Sequence, residues 1–504
     1  MTSMKWTRTL TLLAAVFLIP AVALAADAAP PKIEDVAKAV ADTSTSVNFV
    51  WTLVAGFLVM FMQAGFALVE TGFTRAKNAS HTMAMNFMVY GIAMLAYWAV
   101  GFALQAGGVG ALGTLGGYDQ LNQAFTVTIG GKVWPLFGMK GFFLAGVAYN
   151  ASVFAYFLFQ MVFMDTAATI PTGALAERWK FSAFCVFSLF VGGLIYPIFG
   201  NWAWGGGWLS QLGANVGLGN GYVDFAGSGV VHLTGGVIAF VTCKMLGARR
   251  GKFNKDGTPN PIPGHNIPMA IAGTFILCFG WFGFNAGSTL AGMDSRIAVI
   301  ATNTMLAGAA GGVSAMIYVW SKYGKPDPSM LANGTLAGLV AITAPCAFVN
   351  APSAVMIGLI AGVIVCVAVN IIERGFKMDD PVGAISVHGF NGAWGLIAVG
   401  IFADGSYGAG TNGVAGNVTG LIYGGGTQIA AQLIGICSNF LWVGASTYFA
   451  WKVTGLLVKG HRVSAEVEDM GLDSPEMGLP AYPGADIPEA AVRPATAKGL
   501  AVGA

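Results

Sequence analysis

The sequence predicts an all-α integral membrane protein of eleven transmembrane helices, arranged as two inverted five-helix repeats plus a final helix. Three observations point there. Of 504 residues, 55% are hydrophobic and 10% charged, with a mean hydropathy of +0.68; a soluble domain needs about 25% charged residues to cover its surface. Eleven apolar segments are each long enough to cross a bilayer. A short pattern also repeats once, at a distance that divides the chain into halves.

Residues 1–25 read as a secretory signal peptide. Lys5 and Arg8 precede an apolar run from Leu10 to Ala23, and Ala23-Leu24-Ala25 has the small-x-small pattern of a cleavage site. The run falls short of the ~20 residues of a span. An extracytoplasmic segment, 26–48, follows. Apolar segments then occupy 49–72, 83–106, 150–174, 181–200, 225–246, 267–288, 296–320, 331–348, 353–374, 384–404 and 426–455. Together they make a membrane domain over 49–455, followed by a tail over 456–504. In hydrocarbon each segment must satisfy its own backbone N–H and C=O groups, so these segments are helices; a barrel would alternate polar and apolar residues instead.

Cations set the orientation. Alternating the loops gathers Arg75, Lys77, Arg178, Lys180, Arg249, Arg250, Lys252, Lys377 and others on the side of the tail, against Lys32, Lys38, Lys132, Lys140 and Arg296 opposite. The tail is therefore expected in the cytoplasm of a multi-pass protein of a bacterial inner membrane, with the mature N-terminus and the connections 107–149 and 405–425 outside. Gly reaches 72 residues without a G-X-Y period, which excludes collagen and points to close helix packing. A net charge of +2 without a basic stripe argues against nucleic acid. The six Cys all lie in apolar runs without ligand spacing and read as small buried hydrophobes.

The repeat is Val231-His232-x-x-x-Gly236 on the fifth segment and Val387-His388-x-x-x-Gly392 on the tenth; Gln63-Ala64-Gly65 and Asn285-Ala286-Gly287 form a weaker pair. Halves with an odd number of spans face opposite ways, which places a transport path between them. His232 and His388 are the only His within the predicted segments, and an inverted two-fold axis brings them together near the bilayer centre. An ionisable group there is a functional candidate by default. Two neutral imidazoles in contact can share a hydrogen bond or pass a proton. Nothing beside them completes a metal site. Asp224 opens the fifth segment, ~12 Å along the helix from His232, and suits both an N-cap and a negative outer mouth. Phe159, Phe163, Trp204, Trp281 and Phe284 fit a packed core, an interfacial belt or ring faces for a small cation.

VDFAGSGVVHLTGG, WFGFNAGS, FQMVFMDTAATIPTGALAER, WGGGWL and VGAISVHGFNGAWG, in this order-matched set over 49–480, resemble the signature stretches of the ammonium transporter (Amt/Mep/Rh) family. The resemblance implies the ammonium-transporter fold, a homotrimer with one pore per subunit, ammonium or ammonia as substrate, membrane lipid around it and a PII-type regulator at the cytoplasmic face. It makes Asp224 the carboxylate supporting the outer site, Trp204, Ser288 and Phe159 the recruitment site, Phe163 and Phe284 the gate rings, Trp281 a pore-lining residue and His232 and His388 the twin pore histidines. Gly383 stands where some relatives carry an Asp five residues before the second His, and the only nearby acids are Asp379 and Asp380. The tail keeps Arg462-Val463-Ser464 and Gly471-Leu472-Asp473 but has Met477 and Leu479 where many relatives have the His and Glu of an HGE motif, which weakens the case for the regulator. The expected function is ammonium transport with deprotonation at the outer mouth. An ammonium sensor acting through a cytoplasmic partner is the alternative, and a channel for water or urea would lack the His pair. No nucleophile or metal constellation supports an intramembrane hydrolase, so no enzymatic activity and no cofactor are expected.

Overall fold

The computed structural model describes residues 32–107, 112–406, 414 and 416–483. The proposed signal peptide and the end of the tail lie outside these. The chain divides into two compact units, 1–47 and 48–504. Of the first, the described part forms the opening turns of helix α1 (Ile33–Phe73). In the second, α1 runs on and is followed by α2 (Ala76–Ala106), α3 (Ala151–Leu175), α4 (Phe181–Trp204), α5 (Ser228–Leu246), α6 (Ile267–Thr289), α7 (Arg296–Tyr323), α8 (Pro328–Ile342), α9 (Ala351–Gly375), α10 (Ile385–Phe402) and α11 (Gln428–Leu457).

Ten of these described helices are long and apolar enough to cross a membrane. The exception is α8, with 15 residues, which at 1.5 Å per residue spans ~22 Å of a ~30 Å hydrocarbon core. The expected straight span 331–348 thus ends early, and the reason is local. Ala344 and Thr343 accept the N–H groups of Phe225 and Ala226, while the Ala344 N–H donates to Ser228 Oγ. Non-helical backbone is tolerated at this depth because protein, not lipid, satisfies it.

Helix starts follow capping chemistry. Asn150, Asn266, Asp327 and Asn350 each accept a backbone N–H in the first turn of α3, α6, α8 and α9, and Pro at N1 or N2 in the last three costs no hydrogen bond. Gly permits the tightest crossings: a Cβ on Gly338 or on Gly358 would lie 2.2 Å from the Ala307 carbonyl oxygen of α7. Small residues at helix contacts are how membrane helices approach closely.

One further expectation is corrected. His81, left outside the segment 83–106, lies in the first turn of the helix Ala79–Ala96 and is fully buried, because Asn78 closes the preceding turn and starts the helix earlier. Within the connection 107–149, Ala124–Ile129 and Lys132–Gly138 pair as an antiparallel hairpin, β1 and β2. The hairpin lies on the side of the molecule that carries Trp202 and Trp208: Leu136 accepts from Trp202 Nε1 and Pro135 from the Trp208 N–H.

Candidate functional site

His232 and His388 stand in matching wide turns, Ser228–Leu233 at the start of α5 and Ile385–Phe390 at the start of α10. Each turn is introduced by the same device. Asp224 Oδ1 accepts the Gly227 N–H at 3.0 Å, and Oδ2 accepts those of Gly229 and Val230 at 2.9 and 2.8 Å. Asp380 Oδ1 accepts the Gly383 N–H at 3.0 Å, and Oδ2 that of Ile385 at 2.7 Å. Gly227 and Gly383 adopt φ of +112° and +78°, a region open to Gly at little cost. Asp-x-x-Gly-x-x-x-x-His therefore occurs twice. Asp380 escaped the sequence reading because the comparison was made five residues before His388, at Gly383; the shared spacing of eight from each Asp to its His was the available signal.

The repeated Gly four residues after each His has a structural reason. A Cβ at Gly236 would lie 2.4 Å from the Gly389 backbone nitrogen, and one at Gly392 would lie 2.5 Å from the Ser228 carbonyl oxygen. The two half-helices cross here with their backbones nearly touching. The crossing brings the imidazoles together: His232 Nδ1 and His388 Nδ1 are 3.1 Å apart, and the rings stack with centroids 5.2 Å apart. One Nδ1 donates and the other accepts, so the pair holds a single proton between its two Nδ1 atoms.

Aromatic rings continue the line from His232. Trp281 and Phe284 stack on its ring at 5.3 and 5.4 Å, and Phe284 stacks on Phe163 at 4.2 Å. Phe163 then touches Phe159 at 4.6 Å and meets Trp204 edge-on at 6.1 Å. Trp281 is fixed by its Nε1, which donates to Thr343 Oγ1 at 2.9 Å, so the broken end of α8 orients a ring beside the histidines. Trp204 Nε1 donates to the Asp224 carbonyl oxygen at 2.7 Å. Ser288 Oγ donates to the Phe284 carbonyl oxygen at 2.8 Å, and its neighbour Gly287 faces Phe159. All nine residues singled out from the sequence thus fall in one connected row from Trp204 to His388. All are buried except Trp204, which is half-buried.

At the Trp204 end the Asp224 carboxyl is buried and accepts backbone N–H groups of the turn. Burial raises its pKa to about 6, against the pull of the Val230, Gly229 and Gly227 N–H groups. Beyond His388 the setting is ionic. Arg249 binds Asp379 through Nε at 2.8 Å and Glu177 through a terminal nitrogen at 3.0 Å, Arg75 also pairs with Glu177, and Arg178 donates to the Asp379 carbonyl oxygen at 2.7 Å. Burial would raise the Asp379 carboxyl, but Arg249 overrides it and holds it well below the usual carboxylate range. Glu177 is likewise lowered by Arg249 and Arg75 against its burial.

The tail closes over this ionic end. Arg462 pairs with Glu468 and donates to the Leu246 and Ala248 carbonyl oxygens. Arg250 Nε reaches Asp469 at 2.8 Å, and Asp473 accepts the His81 N–H at 2.9 Å. The loop 247–266 and the tail therefore share a face. Ser464 accepts the Val467 N–H to start a short helix, α12 (Ala465–Met470), and Gly471 follows at φ +104° with no room for a Cβ against Lys77. Among the described residues no group of three His, Cys, Asp or Glu is placed to hold a metal.

Comparison with known proteins agrees with this architecture. Residues 50–482 match the Ammonium Transporter Family. The chain is 49% identical over 440 residues to the ammonium transporter Amt2 of Archaeoglobus fulgidus, covering 87% of this chain and 88% of that protein. It is 38% identical over 449 residues to Amt1 of Haloferax mediterranei, covering 87% and 79%. Among solved structures, a Sensor Amt Protein superposes with a TM-score of 0.74 at 37% identity, over 86% of this chain and 99% of that one. Mep2 of Saccharomyces cerevisiae superposes with a TM-score of 0.69 at 25% identity, over 83% and 88%. The chain is a multi-pass membrane protein that belongs to the ammonium transporter family, whose members are transporters rather than enzymes.

Proposed function

We propose that the protein takes up ammonium by recruiting NH4+ at the Trp204 end, removing a proton there and passing NH3 along the histidine pair. The observation that carries this reading is the 3.1 Å contact between His232 and His388 inside an otherwise aromatic, uncharged row. Trp204 and Phe159 offer ring faces to a cation, Ser288 a hydroxyl oxygen, and Asp224 a negative charge behind them. Phe163 and Phe284 are the gate: their stacked rings must part for a molecule to pass. Beyond them, neutral imidazoles set among aromatic rings give and accept hydrogen bonds, which suits NH3.

Selectivity follows from desolvation. K+ meets the same ring faces as NH4+, but it has no proton to lose and must enter the row charged, where nothing repays its lost hydration. Flux into proteoliposomes carrying the reconstituted protein tests this: ammonium should enter and K+ should not. Equal fluxes would refute the reading, and saturable ammonium binding without any flux would favour a sensor.

The tail-side face, rich in Arg and Lys, is the cytoplasmic one in this reading, and a Cys placed at Ser464 that reacted with an impermeant reagent from outside would reverse it. The mature chain then begins near Ala26, which N-terminal sequencing of membrane-extracted protein checks. A homotrimer, read by native mass spectrometry, and docking of a PII-type protein on the face formed by 247–266 and the tail, read by pull-down in each effector state, complete the proposal.

A further inference from the structure

Beside the aromatic row, α1, α2 and α3 enclose a second polar feature. Asp165 on α3 and Glu70 on α1 are 2% and 3% exposed. Among the described residues no Lys, Arg or His pairs with either. Glu70 accepts from Asn86 Nδ2 at 2.6 Å, and from Thr172 Oγ1 at 3.0 Å on Oε1 and 2.8 Å on Oε2. Gln63 donates to the Asn86 carbonyl oxygen at 2.6 Å and accepts from Thr169 Oγ1 at 3.0 Å. Thr169 stands one turn below Asp165 and donates to its carbonyl oxygen at 2.9 Å. Thr169, Gln63, Asn86, Thr172 and Glu70 thus form a polar seam, which Asp165 joins through its backbone carbonyl oxygen. From Asp165 to Thr172, the residue that holds Glu70, seven residues of helix cover ~10 Å.

Several buried polar atoms in and beside the seam lack a partner. Asp165 Oδ1, Asn86 Oδ1, Thr71 Oγ1 and Thr82 Oγ1 are buried without a hydrogen-bond partner. The groups close enough to act electrostatically on the two carboxyls are Tyr90 on Asp165 and Asp380 on Glu70, and neither supplies a positive charge. An isolated carboxylate in a low-dielectric interior is too costly to keep, so such a group takes a proton and becomes neutral. A protonated carboxyl is also a donor, which is what an acceptor-only amide oxygen such as Asn86 Oδ1 requires.

We propose that Asp165 and Glu70 form a proton-binding site beside the ammonia pore, which takes up the proton shed by NH4+ and releases it at the tail-side face. The route in this proposal rests on the ammonium-transport reading; the proton site itself does not. In the step, an N–H bond of NH4+ breaks and its electron pair stays on nitrogen, giving NH3. The proton bonds to a carboxylate oxygen of the seam, whose previous proton has left to water at the tail side, so one proton crosses for each NH3.

Two measurements on the full chain separate site from route. Infrared spectra at neutral pH read the carbonyl stretch of protonated carboxyl groups, and Asp165→Asn and Glu70→Gln should each remove one band. Spectra in which neither substitution removes a band would overturn the site, whether or not the protein transports. In proteoliposomes each substitution should lower ammonium-driven charge movement about a hundredfold or more, as expected for loss of a proton-transfer group, while intact oligomers by native mass spectrometry exclude misfolding. Bands lost with charge movement unchanged would overturn the route. A wild-type protein that takes up no ammonium would refute the transport reading and with it the route, uptake without current would overturn the route alone, and the infrared bands would still decide the site.

Discussion

The turn that begins α5 and the turn that begins α10 are built alike and set in opposite surroundings. In both, an Asp caps the backbone, a Gly with positive φ follows three residues later and a His five residues after that. Around Asp224 stand Trp204 and the stacked rings. Next to Asp380, its neighbour Asp379 is clasped by Arg249, which also binds Glu177. The repeated part does a backbone task that any such turn requires, so it survives duplication. The unrepeated part separates the two ends: at one a buried carboxyl stands among aromatic faces, whereas at the other an interlocked ionic network joins helix ends beside the tail.

The largest effect expected is at the point where the two turns meet. His232→Ala or His388→Ala should leave the oligomer folded but reduce selective ammonium current about a hundredfold or more, the range for losing a proton-handling group. His232→Asp should admit K+, because a buried carboxylate can hold the cation without deprotonation. The measurement is current in proteoliposomes with ammonium against K+. Wild-type, K+-excluding current in both alanine variants would break the twin-histidine mechanism and, with it, the functional meaning of the paired turns.

Arg249→Met sharpens the contrast from the inner side. It strips Glu177 and Asp379 of their shared cation, and removing one member of a buried ion pair costs ~3–5 kcal/mol. Asp224→Met removes a capping carboxyl, a loss of about 1 kcal/mol, and should cost less, read as thermal unfolding in detergent. The clasp also has a pH signature. Because both folded carboxyls sit below their usual values, the stability they contribute is present above ~4, the unfolded carboxylate range, and is lost as pH falls through the folded values. Acid should therefore release the tail in wild type, measured as protease sensitivity after 456.

A smaller effect is expected at the crossing. Gly236→Ala places a methyl within 2.4 Å of the Gly389 backbone, and overpacking of this kind costs ~1–3 kcal/mol. Thermal unfolding should fall, with the His232 to His388 contact loosened and ammonium current reduced in parallel. An unchanged melting temperature would mean that the two half-helices do not cross as tightly as the repeated Gly implies.

These residues also show what sequence alone reveals. Long apolar runs disclose helices because hydrocarbon leaves the backbone no alternative, and the His and Gly of the repeat were visible because both halves need them. The broken end of α8 was not visible: its carbonyls are satisfied by Phe225 and Ala226, far away in sequence, and apolar composition continues through it. Asp380 was missed for a different reason, since its role lies in a spacing shared with Asp224 rather than in its immediate neighbours. The polar seam likewise depends on three helices converging, which no single segment encodes.

The smallest effect is the most specific to the outer turn. Asp224 in the folded protein has its pKa raised to about 6 by burial, against ~3.9 in an unfolded chain. A raised carboxyl means that the fold is penalised as pH climbs between these values and carries the full penalty above the higher one. Lowering the pH through that value relieves the strain but discharges the mouth. If Asp224 attracts ammonium by its charge, the ammonium concentration for half-maximal current should rise as pH drops below about 6, with the maximal current nearly unchanged because the histidine pair lies further along the row. Asp224→Asn should start with weak affinity and show no such dependence. Asp380→Asn, at the equivalent place in the other turn, should keep the wild-type profile. A wild-type half-saturation that is flat across this range, or an Asp380→Asn variant that loses the dependence, would show that the difference between the two turns is structural and not a matter of recruiting the substrate.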